Sequence, residues 1–264
     1  MTEIPKLGLG TWQNTNPEEC SNAVKTALEM GYEHIDTAQA YGNEEDVGKG
    51  LEEADLDRDD YFLASKVWID QLAPENVKKS TKESVEKLGV DYVDLMYVHW
   101  PAGDYQPQET LKAFKELVHS GEIKNIGISN FTPEQVDKAM EIAPKHIIAN
   151  QVEMHPLLQQ EELVEKCREH GITLVAYSPL ARGKVFEIEE LNEIAEKHGV
   201  SEAQVSLTWL MQKENVVAIP KATGEDHIRD NFEALDLELD EEDVEKIKSI
   251  DREERFVDPD FAPW

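Results

Sequence analysis

Cysteine is nearly missing from this chain. Cys20 and Cys167 are the only two in 264 residues, in helical-looking segments and without CxxC or metal-ligand spacing. A disulfide scaffold and a metal cluster are thereby excluded, and two buried thiols in a reducing compartment are expected. Basic residues are short as well: 26 lysines and arginines stand against 56 acids, a formal net charge of -30. Such a chain would be repelled by nucleic acid and by anionic membrane surfaces. No apolar run reaches the roughly 20 residues of a membrane-spanning helix. The opening MTEIPKLGLG has no charged region followed by an apolar core, the mark of a secretory signal. Linkers, repeats and low-complexity tracts are missing too. The expectation is a soluble, cytoplasmic monomer with residues 1–264 in one domain.

The acids that are present do not form a tail. EEADLDRDD at 52–60 and LDLELDEEDVEKIKSID at 235–251 keep apolar positions among the charges, the pattern of a solvated folded surface and not of disorder. Concentrated salt would screen the self-repulsion, so a halophilic source is expected.

Apolar runs alternate with amphipathic runs from end to end. Strands are expected at 7–10, 34–36, 62–67, 93–99, 126–129, 147–152, 173–177 and 216–219. Between them lie helical patterns, several opened by proline after a capping residue and closed by glycine. Helices are expected at 44–54, 133–142 and 225–235, and a final one at 240–250. Eight strands in alternation with helices predict a (β/α)8 barrel with extra helices near the C-terminus.

In such a barrel chemistry gathers at the carboxyl ends of the strands. The stretch GYEHIDTAQAYGNEEDVG at 31–48 puts Asp36 at a strand end, Tyr41 on the following loop and Asn43 as a helix N-cap. The other strand ends carry Trp12, Lys66, His99, Ser129 with Asn130, Gln151, Tyr177 with Ser178, and Lys221. Singly, each has a plain structural explanation: a turn-former, a surface lysine, a satisfied core histidine. Their recurrence at strand after strand points instead to a site. A tyrosine with an ordinary pKa of about 10 is a poor acid near neutrality, and a neighbouring ammonium would lower that value. Asp36 can pair Lys66, and His99 can orient a carbonyl oxygen. Asp, Lys, Tyr and His then make one proton relay to a carbonyl, with hydride drawn from a cofactor.

The chain resembles the aldo-keto reductases over nearly its whole length, from GLGTW to DPDF. The carrying motifs include GYEHIDTAQAYGNEEDVG, FLASKVW, VDLMYVHWP, IKNIGISNF, NQVEMHP, AYSPLARG and IPKATGEDHIRDN. The resemblance implies a TIM barrel that reduces carbonyl compounds with NADP(H), or with NAD(H) as the alternative, without a metal. It implies Asp36, Tyr41, Lys66 and His99 as catalytic residues. Ser129, Asn130 and Gln151 would hold the nicotinamide carboxamide and Tyr177 would stack on its ring. Thr11 and Trp12 would also meet the cofactor, Ser178 and Leu180 its pyrophosphate. Lys221, Thr223, His227, Asp230 and Asn231 would meet its adenosine end. Trp12, Trp68 and Trp100 would wall the substrate pocket. Gly8-Leu9-Gly10 does not make a Rossmann fingerprint, since Gln13 takes the third glycine's place.

The departures are as informative. Glu33 stands where the family usually has arginine, Ala222 replaces a Ser or Thr, and His227 replaces an arginine that would grip a 2′-phosphate. The loop after His99 and the tail after Asp251 are short, which predicts an open, shallow pocket like that of bacterial 2,5-diketo-gluconate reductases. Two rival readings remain: a catalytically silent, cofactor-binding scaffold or sensor of the same fold, and a barrel hydrolase using paired acids.

Overall fold

The computed structural model describes residues 3–264. Eight strands run parallel in the order of the chain: β1 (Leu9–Gly10), β2 (His34–Asp36), β3 (Phe62–Val67), β4 (Val93–Val98), β5 (Ile123–Ser129), β6 (Ile147–Glu153), β7 (Thr173–Tyr177) and β8 (Val216–Ala218). The ring closes through bridges from Leu7 to Ala218 and from Gly10 to Lys221, with the Gly10 N–H donating to Pro220 O at 2.9 Å. Gly10 is needed there, because a Cβ would come within 2.8 Å of Ile219 O. This is the (β/α)8 barrel.

The helices are α1 (Pro17–Met30), α2 (Glu44–Ala54), α3 (Pro74–Leu88), α4 (Pro107–Ser120), α5 (Pro133–Ile142), α6 (Glu161–His170), α7 (Glu189–His198), α8 (Glu202–Met211), α9 (Glu225–Glu233) and α10 (Glu241–Lys248). Their ends follow local chemistry. The Asn16 side chain accepts from the N–H groups of Glu18 and Glu19 ahead of Pro17, and Gly31 ends α1 at φ 111°. The extra helices are as expected: α7 and α8 both lie between β7 and β8, and α10 follows the barrel.

Some boundaries moved. Only Leu9–Gly10 is strand in the first run, β5 starts at Ile123, and α9 gives way at Glu233 to a 3-10 turn. Asn43 precedes α2 but its side chain caps nothing. It accepts from Thr37 Oγ1 at 3.0 Å and donates to Thr11 O at 2.9 Å, so it ties the loops after β1 and β2 together. Both cysteines are free and buried, and burial pushes both thiols up to about 12.

Two-residue alternation along the strands explains where the site sits. Phe62, Ala64, Leu95, Tyr97, Ala149, Val175, Val217 and Ile219 pack together as one apolar cluster, separate from the larger one under the helices. Continuing the same inward positions toward the strand ends gives Lys66, His99, Gln151 and Tyr177. The barrel interior is thus polar at its top and largely apolar in its lower part, where the buried His34 ring packs edge to face on Phe62. Gly127 belongs to this packing, since a Cβ there would lie 2.2 Å from the Tyr97 ring.

Candidate active site

Lys66 is wholly buried on β3, and its three ammonium protons are all engaged. Nζ donates to Asp36 Oδ1 at 2.5 Å, to Thr37 O at 2.9 Å and to the Tyr41 hydroxyl at 3.3 Å. The second Asp36 oxygen accepts from Gln151 Nε2 at 2.7 Å. The carboxylate is therefore clamped from two strands, and the lysine can hold only one position. Tyr41 sits on the 3-10 turn Gln39–Tyr41, where its ring meets His99 edge to face at a centroid distance of 5.9 Å. Trp68 also meets His99 edge to face, at 5.0 Å.

A second buried network supports this one from behind. Ser65 alternates with Lys66 and points outward, its Oγ donating to Glu44 at 2.7 Å. Ser84 on α3 donates to the other Glu44 oxygen at 3.3 Å and accepts from Gln39, whose own carbonyl receives the Trp68 N–H. The turn bearing Tyr41 is in this way tied to β3 and α3. Burial raises the pKa of Glu44 against the pull of both serine hydroxyls.

The electrostatics follow from burial and neighbours. Burial disfavours the Lys66 charge, but Asp36 and Tyr41 together hold its pKa above the ordinary lysine value. Burial raises the Tyr41 phenol more than Lys66 lowers it, so the net shift is the reverse of the one read from sequence. His99 is pushed well below its usual range, by burial first and by the Lys66 charge second. His99 Nδ1 is buried without a partner, so a single ring proton costs least on Nε2. The arrangement offers a protonated phenol and a neutral imidazole side by side.

Both face a cavity of about 650 Å³ at the carboxyl ends of the strands. Thr11, Trp12, Asp36, Tyr41, Trp68, His99, Trp100, Ser129, Asn130, Gln151, Tyr177, Ser178 and Lys221 all line it. The Tyr177 hydroxyl donates to Asn130 Oδ1 at 2.8 Å, and Asn130 Nδ2 donates to His99 O and to Ser129 Oγ. Asn130 does this from the left-handed region, at φ 63°.

The sequence profile of the aldo/keto reductase family matches residues 6–252. The chain belongs to this family. It is 41% identical to the glyoxal reductase of Bacillus subtilis strain 168 over 96% of this chain and 91% of that one. It is 39% identical to the methylglyoxal reductase DkgB of Escherichia coli O157:H7 over 98% of each. An aldo-keto reductase from a Medee basin deep-sea metagenome library superposes with a TM-score of 0.93 at 36% identity, covering 97% of this chain and 95% of that one. Aldo/keto reductases are nicotinamide-dependent oxidoreductases of aldehydes and ketones.

In this aldo/keto reductase the remaining expected residues lie apart from the cavity wall. Leu180, Thr223, His227, Asp230 and Asn231 do not line it. His227 is exposed on α9, and Asp230 accepts a hydrogen bond from Ser201 Oγ at 2.8 Å. Arg229, the nearest cation on the same helix, is paired with Glu225 at 2.6 Å.

Two groups escaped the sequence reading. Arg182 lines the cavity and places its guanidinium 5.0 Å from the Trp12 ring centroid. The C-terminal tail also folds over the site. Phe256, Val257, Asp258, Pro259 and Phe261 all line it, and Phe261 meets Trp68 and Trp100 edge to face. The tail's shortness suggested an open, shallow pocket, yet its aromatic residues close one side. Aromatics at 256, 261 and 264 were the only signal available.

Proposed function

We propose that this aldo/keto reductase reduces small aldehydes and ketones, dicarbonyls and keto-sugars above all, with Tyr41 as proton donor. The observation that carries the reading is the unbroken chain from Asp36 through Lys66 Nζ to the Tyr41 hydroxyl, opening beside His99 into the cavity. Aromatic walls and a modest volume suit a short carbonyl compound, in keeping with relatives named for glyoxal and methylglyoxal.

The donor set suits a nicotinamide cofactor. Ser129, Asn130, Gln151 and the Tyr177 ring line the same cavity, and amide and hydroxyl groups beside an aromatic ring are what recognition of a carboxamide on a flat heterocycle requires. The bound cofactor would supply the hydride. His99 Nε2–H orients the substrate oxygen, and Tyr41 delivers the proton to that oxygen as the carbonyl carbon is reduced. Lys66, fixed by Asp36, stabilises the phenolate that is left.

The test is NADPH and NADH oxidation against glyoxal, methylglyoxal and a keto-sugar panel. Turnover supports the reading. Cofactor binding without any turnover would favour a silent scaffold.

Cofactor preference should be NADPH by a reduced margin. Lys221 offers a point charge to a 2′-phosphate, but the imidazole of His227 cannot reproduce an arginine fork, and Arg229 is engaged with Glu225. His227→Arg should raise kcat/KM for NADPH and leave NADH almost unchanged. An unaltered ratio would show that residue 227 does not face the phosphate.

The surplus of acids predicts a dependence on salt. With 56 acids against 26 bases, screening by molar KCl should raise the melting temperature and the activity relative to low ionic strength. A melting temperature indifferent to KCl would remove the halophilic reading and leave the enzymatic one intact.

A further inference from the structure

Glu153, the last residue of β6, is wholly buried, yet it neither lines the cavity nor belongs to the Asp36–Lys66 network. Its carboxylate is nonetheless fully engaged. Oε1 accepts the Phe256 N–H at 2.8 Å and Oε2 accepts the Val257 N–H at 3.0 Å. His155 Nε2 lies 3.1 Å from Oε1, and a carboxylate oxygen there can only accept, which puts a ring proton on Nε2. The His155 ring also packs against Phe256 at 5.3 Å. Two residues before Phe256, the Glu254 N–H donates to Leu157 O at 2.8 Å. From this fastening the chain runs on to Phe261, which closes the pocket against Trp68 and Trp100.

Resting on the carbonyl-reductase reading, we propose that Glu153 is a positioning residue that latches residues 254–261 over the pocket and so sets recognition of the larger substrates. A buried carboxylate is costly unless its oxygens are paired, and two of these partners are backbone amides of the tail. Burial opposes the charge, but the His155 N–H and the two amides outweigh it and hold Glu153 below the usual carboxylate range. The latch reads main chain and not side chains. It therefore tolerates changes of tail sequence, except proline at 256 or 257, which has no N–H to give.

Two variants test it from opposite sides. Glu153→Gln keeps the size but turns an NH2 toward one of the amides. Phe256→Pro removes one amide together with a ring that lines the cavity and packs on His155, so it is read by amide exchange at 257, which should accelerate, and it covers the case in which the buried variant fails to fold. Loss of a charge-assisted bond predicts a rise in KM of roughly tenfold for a six-carbon keto-sugar. In Glu153→Gln, methylglyoxal turnover and NADPH affinity should stay within about twofold, because Glu153 itself is not part of the cavity wall. Amide hydrogen exchange should accelerate at 256–257 in Glu153→Gln, and the double variant should add little to either single one. Unchanged exchange together with unchanged KM, or an equal fall of kcat for both substrates, would overturn the latch. Should the wild type reduce no carbonyl, the functional reading fails, and the exchange measurement still decides whether Glu153 holds the tail.

Discussion

Tyr41→Phe should lower turnover by roughly 10²–10⁴-fold, the usual contribution of a positioned proton donor. The substitution removes one hydroxyl at the mouth of the relay. Lys66 keeps its bonds to Asp36 and Thr37, so folding and cofactor affinity should change little. The pH profile provides a second check. Burial holds the Tyr41 pKa above the ordinary tyrosine value of about 10, so the phenol stays protonated through neutrality. Wild-type turnover should be flat from neutral pH to about 10 and fall beyond it as the acid form is lost. Stability should follow the same direction. The unfolded tyrosine ionises first, so the folded state is favoured fully below the unfolded pKa and loses that advantage as pH rises. Near-wild-type turnover in Tyr41→Phe would remove the mechanism.

The barrel and most of the cavity wall were legible in the sequence because both rest on short-range regularities. Strand alternation puts every second residue inside, and the inward series Phe62, Ala64, Lys66 and Leu95, Tyr97, His99 turn from apolar to polar at their ends. No packing demand explains that change, so Lys66 and His99 stood out. Asn43 holds the N-cap position of α2 as expected, but its side chain does not cap: it is taken by Thr37 and by the carbonyls of Thr11 and Asn14, the latter two brought near only by folding. The sign of the Tyr41 shift failed for a related reason. A neighbouring lysine can be guessed from motif order, but the burial that outweighs it depends on the whole cavity. The tail was the least visible part. Its attachment uses the amides of Phe256 and Val257, and a backbone donor leaves no trace in side-chain pattern.

Lys66→Met should be more damaging than Tyr41→Phe in one respect, since it should also destabilise the fold. The Lys66–Asp36 pair is almost entirely sequestered, with side chains 1% and 2% exposed. Breaking such a pair from one side typically costs about 3–5 kcal/mol, because the surviving charge stays buried without its partner. Gln151 Nε2 still reaches Asp36 Oδ2, which tempers the loss but supplies no charge. For a chain of this size that energy corresponds to a melting temperature lower by roughly 6–20 °C. Turnover should fall as well, because the phenolate left after proton transfer would have no cation beside it. Adding Asp36→Asn to Lys66→Met separates the two effects. The double variant leaves no unpaired charge, so stability should largely return while turnover stays low. Thermal melts and steady-state rates on the two variants are sufficient. If Lys66→Met kept both its melting temperature and its activity, the buried relay from Asp36 to Tyr41 would not be what drives this site.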